Sequence, residues 1–127
     1  MEVGAITEAV CKMAKDFGER DNVSMIALLE ESGYLENADQ ITEARILEYL
    51  QHHPGLVTTW VLQSENKRTD SGWYIRAPHD SDIHQDAWVV GFYPAGETRE
   101  FRDGASACAF YVKQEIEKIR GNTKRAR

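Results

Sequence analysis

His79-Asp80-Ser81-Asp82-Ile83-His84-Gln85-Asp86 is the one stretch of this chain in which several potential metal ligands stand together. The carboxylates of Asp80, Asp82 and Asp86 could present oxygens to a hard cation, as the opening positions of a calcium loop do, and the imidazoles of His79 and His84 would suit a transition metal. The rest of a calcium loop is missing. Counted from Asp80, the sixth position is Gln85 where glycine is needed, and the twelfth is Gly91 where a bidentate glutamate is needed. No helical His-Glu-x-x-His pair completes a zinc site. The stretch reads first as a solvated loop between two strands, with a small ligand-binding, metal-binding or hydrolytic site as the alternative.

Three further groups invite chemistry. Gly104-Ala105-Ser106-Ala107-Cys108 has the opening of a G-x-S-x-G nucleophile elbow, but the closing glycine that lets the elbow turn tightly is a cysteine. It reads as the first turn of a helix whose small residues pack closely. His52-His53 falls at the expected end of a helix, where exposed carbonyls favour imidazolium, so a capping role is expected. Cys11 and Cys108 lie in apolar helical stripes, far apart and outside any CxxC pair, which points to two buried thiols in a reducing cytosol. No catalytic residue, resident metal or cofactor is expected, and the chain is not expected to be an enzyme.

The elements that hold these groups divide the chain in two. Val3, Ile6, Val10, Met13 and Phe17 recur at spacings of three and four and predict one amphipathic helix ended by Gly18. Asn22 is expected to cap a short second helix carrying Met25, Ile26, Leu28 and Leu29, with Gly33 at its C′ position. Thr42 caps a third, and Ile41 and Ile46 have the spacing of a hydrophobic staple. His53-Pro54 stops that helix, because the residue before proline is pushed out of the α region, and Pro54 suits the first turn of a fourth helix carrying Leu56, Val57, Trp60 and Val61.

After Ser64 the pattern becomes β. Gly72 to Arg76, Ala87 to Tyr93 and Thr98 to Arg102 predict an antiparallel meander, with a turn at Tyr93-Pro94-Ala95-Gly96. Asp103 caps a closing helix whose Ala105, Cys108, Ala109, Val112, Ile116 and Ile119 face the sheet, followed by a basic tail from Gly121 to Arg127. The expected fold is a single α+β domain over 1–120, with a helical half (1–64) and a sheet half (70–120). Trp60, Trp73 and Trp88 read first as core, with an aromatic binding surface as the alternative. At 127 residues the chain is long enough for a sizeable core, and its longest apolar runs fall far short of the roughly 18 residues a membrane span needs.

Charge separates the halves more sharply than hydropathy. Residues 1–53 hold eleven Asp/Glu against four Lys/Arg, a balance of −7, while the remainder holds ten against eleven, a balance of +1. Such a field favours a positively charged partner and disfavours nucleic acid. A winged-helix reading of the third and fourth helices and the hairpin fails on the same ground, because the fourth helix offers only Thr58, Thr59 and Gln63 to a groove. The expected partner-binding surface comprises Glu30, Glu31, Glu36, Asp39, Glu43 and Glu48, with Tyr34 and Trp73 as exposed anchors. The dense polar junction Ser64 to Trp73 adds Glu65, Asn66, Lys67 and Arg68, which serve equally well as a solvated connector.

In combining a small acidic domain, helices leading through His53-Pro54 to Trp60, the Ser64 to Trp73 segment, a short meander and a closing helix, residues 41–120 resemble bacterial immunity proteins. These are the cytoplasmic antidotes to polymorphic and contact-dependent toxins. The resemblance implies a single cognate toxin, typically a basic nuclease domain, bound through complementary charge and thereby blocked. A regulatory subunit of a larger assembly is a further alternative.

Overall fold

The computed structural model describes residues 2–20, 23–66, 72–78, 87–93, 96 and 98–126. The chain is α+β: helices first, then a three-stranded antiparallel sheet, then a long helix against that sheet.

The first amphipathic stripe forms two helices where one was expected, α1 (Val3–Cys11) and α2 (Met13–Glu19), and Gly18 lies inside α2 instead of ending it. Lys12, at φ −90 and ψ 0, bends the chain without breaking its hydrogen bonds: its N–H still reaches the Glu8 carbonyl at 3.0 Å, and its carbonyl accepts from Asp16 at 2.9 Å. The bend lets α1 pack on the fifth helix while α2 packs on the third and sixth. Ile6, Val10 and Met13 are buried, but Phe17, beyond the bend, is 37% exposed.

Helix α3 (Met25–Ser32) is capped by Ser24 and not by Asn22, which lies outside the described residues. The Ser24 side chain accepts from the Ala27 N–H at 3.0 Å, satisfying one of the donors a helix start leaves orphaned. Gly33 takes φ 87, the left-handed conformation expected at C′. This reversal starts a four-residue helix, α4 (Tyr34–Asn37), and a 3₁₀ turn (Ala38–Gln40), both too short to announce themselves by periodicity.

Thr42 caps α5 (Glu43–His52) through the Arg45 N–H at 3.3 Å, and the staple residues Ile41 and Ile46 are both fully buried. Helix α6 (Pro54–Asn66) begins at the proline and runs two residues past Ser64.

Strands β1 (Gly72–Arg76), β2 (Trp88–Tyr93) and β3 (Thr98–Phe101) pair in sequence order, with Ile75 opposite Val90 and Trp88 opposite Phe101. The Gly96 N–H closes on the Phe92 carbonyl at 2.7 Å. On the outer face, Tyr74 lies across Gly91, where a Cβ would stand 2.6 Å from the tyrosine hydroxyl, so the side-chain-free position lets the ring lie flat.

Asp103 caps α7 (Gly104–Ala126), its two carboxylate oxygens accepting from the Ser106 N–H and hydroxyl, both at 2.8 Å. Ser106 is thus engaged in capping, as its neighbours suggested. Helix α7 continues through the residues expected to form a basic tail. Gly121 costs about 1 kcal/mol relative to alanine, too little to halt a helix that is already propagating.

One core joins the halves. Ile46 and Leu50 of α5, Trp60 of α6, Ile75 and Val90 of the sheet, and Tyr111, Val112 and Ile116 of α7 belong to a single buried cluster. Trp60 meets Tyr111 edge-on, centroids 6.0 Å apart, and its indole N–H donates to the Cys11 carbonyl at 2.8 Å. Cys11 and Cys108 are free and buried. Burial pushes the Cys11 thiol up to about 12, and burial followed by the neighbouring Cys11 raises Cys108 as well, which leaves both inert as nucleophiles near neutral pH.

Candidate docking face

All six carboxylates expected to form the acidic surface, Glu30 and Glu31 of α3, Glu36 of α4, Asp39 of the 3₁₀ turn, and Glu43 and Glu48 of α5, are exposed. They follow from the amphipathic pattern: α5 turns Ile46 and Leu50 inward and leaves its charged positions in water.

Cations from other elements interrupt the surface. Arg20, the residue that follows α2, reaches both carboxylate oxygens of Glu31, at 3.2 and 3.3 Å. Arg120 of α7 shares a shallow groove of about 190 Å³ with Glu36 and Asp39. Glu48 borders a second groove of about 280 Å³ between α1 and α5, together with Arg45, Tyr49, His52 and His53. The His53 ring stacks on Tyr49 at 4.0 Å, and its Nδ1 pairs with the Tyr49 carbonyl at 2.9 Å, the capping role expected of this pair. Across the groove, Glu8 accepts from Lys12 at 2.9 Å and from the Tyr49 hydroxyl at 3.2 Å, which holds its carboxyl below the ordinary range.

Tyr34 is not an exposed anchor. It is fully buried, because the left-handed turn at Gly33 swings the following residue inward, and the Ser32 hydroxyl accepts its N–H at 3.1 Å. Its hydroxyl donates to Glu117 of α7 and accepts from Lys113 Nζ at 2.7 Å. Lys113 also donates to the carbonyl of Ile41 at 2.7 Å and, as a second donor beside the Ile41 N–H, to that of Ala38 at 3.4 Å, where the 3₁₀ turn ends. Arg120 closes the network with a two-pronged contact to Glu117 at 2.8 and 2.9 Å.

Burial, then Glu117, raises the Tyr34 hydroxyl above its ordinary value. Burial lowers Lys113, opposed by Glu117 and more weakly by Asp39 and Glu43. The Arg120 hydrogen bonds hold Glu117 below the ordinary carboxylate value of 4.5. This network pins α4, the 3₁₀ turn and the start of α5 to α7, and so fixes the backbone that presents Glu36, Asp39 and Glu43.

A depressed folded-state value makes Glu117 a source of stability that is fully present above pH 4.5 and lost as pH falls through the folded value. In acid titrations followed by circular dichroism, Glu117→Gln is therefore expected to lower stability at neutral pH and to flatten its decline below that pH. An acid limb as steep as that of the parent chain would remove Glu117 from this role.

Trp73 is also not a free anchor. It is half-buried on the inner sheet face, edge-on to Phe92 at 5.3 Å and to Phe110 of α7 at 6.0 Å. Glu65 is exposed near the end of α6 and Asn66 closes that helix, while Lys67 and Arg68 lie outside the described residues. So do His79, Asp80, Asp82, His84 and Asp86. Among the described residues no group of three His, Cys, Asp or Glu side chains is placed to hold a metal ion, and no helix is long and apolar enough to cross a membrane.

Sequence reasoning missed Lys113, Glu117 and Arg120. Their i,i+4 and i,i+3 spacings were visible, but such spacing also describes an ordinary solvated helix face. No protein family, curated protein or solved structure matches the chain.

Proposed function

We propose that this chain is a non-enzymatic binding protein that captures a basic protein partner on the carboxylate face of α3 to α5 and blocks it, as an immunity protein blocks its cognate toxin. One observation carries the reading. Between residues 23 and 53 six carboxylates face solvent against the single basic residue Arg45, a balance of −5, on elements tied to α7 by the Tyr34 and Lys113 contacts. Complementary charge of this kind accelerates encounter and selects a partner, while desolvated contacts supply most of the affinity. The inert thiols and the capping engagement of Ser106 and His53 favour binding over covalent catalysis.

The test is co-expression with the protein encoded by the adjacent reading frame. The expected result is protection of the host from that protein's toxicity, together with a purified complex that weakens as salt rises. Unrelieved toxicity with no complex would overturn the proposal.

A further inference from the structure

A cleft of about 390 Å³ opens where the end of α5, the first turns of α6, the start of β2 and the start of α7 converge. Its floor is apolar: Leu50 is fully buried, Val57 nearly so, and Pro54 stands beside them. One wall is the half-buried indole of Trp88. Ring carbons of that indole lie 2.7 to 3.1 Å from where a Cβ on Gly104 would sit, so the ring rests on the first turn of α7 in space that only glycine leaves open.

Among the described residues that line the cleft Asp103 is the only ionisable one, so their formal charge is negative. Its carboxylate is held in place by Ser106, yet each oxygen accepts only one of those two hydrogen bonds and retains acceptor capacity. An apolar floor, a flat aromatic wall and a fixed carboxylate suit one occupant: a long aliphatic stem ending in a planar cation. The stem would lie on Leu50, Pro54 and Val57, and the guanidinium on the Trp88 ring within reach of Asp103. Gln51 on its rim is exposed and stands three residues after the exposed Glu48 on α5, a spacing that makes the two neighbours on that helix surface.

We infer that this cleft receives an arginine side chain of the basic partner, an inference that rests on the docking reading above and names its anchor. The probe is the capped peptide acetyl-Gly-Arg-Gly-amide, titrated into the full chain under ¹⁵N-edited NMR, with lysine and citrulline peptides as matched controls. The arginine peptide is expected to shift the Trp88 indole N–H and the Gly104 and Ala105 amides saturably. The citrulline peptide, with the same shape and no charge, should bind about tenfold more weakly, and the lysine peptide should fall between, because an ammonium lacks the planar stacking surface. Asp103→Asn keeps an effective helix cap while removing the charge, so it should weaken the arginine peptide about tenfold with the fold intact. Equal binding of arginine and citrulline, or shifts confined to amides of α3 to α5, would overturn the anchor, and so would no shift at any residue. The docking reading would survive those results and is tested separately by charge reversal on α5.

Discussion

Replacing Glu43 and Glu48 by lysine is expected to slow capture of the basic partner by about ten- to a hundredfold at low salt, because each reversal converts an attraction along the approach path into a repulsion. Each reversal adds two charges, so the double variant moves from a formal −6 to −2. The loss should fall mainly on the association rate. Both side chains are exposed, and exposed rim charges steer encounter more than they hold a formed complex. The parent's association rate should decline steeply with ionic strength and the variant's should be nearly flat, so the two converge once the Debye length shrinks to about 3 Å near 1 M salt. Glu19→Lys, exposed on α2 and outside α3 to α5, separates location from total charge. An association rate that responds equally to reversal at Glu19 and at Glu43 or Glu48 would show that net charge, and not this face, governs the encounter. An unchanged rate and salt slope in the double variant would remove the steering role altogether.

The second large effect concerns the joint between the halves. Trp60→Ala is expected to cost about 3 to 5 kcal/mol, since it empties a site only 1% exposed and removes both the contact with Tyr111 and the hydrogen bond to the Cys11 carbonyl. Trp60→Phe keeps most of the apolar volume but leaves that carbonyl without its donor, so a cost of about 1 to 3 kcal/mol is expected. Urea unfolding followed by circular dichroism measures both. A domain of this size has about 5 to 15 kcal/mol in total, so the alanine variant should lose a large share of it and unfold at markedly lower urea. A cost below about 1 kcal/mol for the alanine variant would place Trp60 outside the shared core.

The parts of the fold that could be read in advance are those decided within a few residues. Thr42 and Asp103 cap their helices because a short oxygen-bearing side chain meets an N–H three residues on, and Gly33 and the Ile41/Ile46 staple are likewise local. The strands were legible for a similar reason, as β-branched and aromatic runs bounded by turn residues. The bend at Lys12 was not legible, because it answers to packing of α1 and α2 on different partners rather than to any residue within the stripe. The preference for Ser24 over Asn22 turned on which of two good caps lay nearest the first buried turn.

The candidate face divides along the same line. Exposure of Glu30, Glu31, Glu43 and Glu48 followed from the amphipathic pattern of α3 and α5, while Glu36 and Asp39, on α4 and the 3₁₀ turn, could be read only from their charge. The cations that interrupt it come from outside α3 to α5: Arg20, eleven residues before Glu31, and Arg120, more than eighty residues after Glu36. Tyr34 was misjudged because the groups that satisfy its buried hydroxyl, Lys113 and Glu117, lie 79 and 83 positions further along the chain. The cleft beside Trp88 was invisible for a related reason, since its walls come from four elements that meet only in the folded chain.

The Lys113 contacts carry one further implication. The carbonyls of Ala38 and Ile41 lie on either side of Asp39, and both accept from a side chain more than seventy positions downstream. Residues 23–53 contain every carboxylate of the face, yet the arrangement of those carboxylates is completed only when α7 docks. A nascent or partly unfolded chain would carry the charges without the pattern, so recognition and completion of the fold become one event: the partner is offered either the finished surface or none.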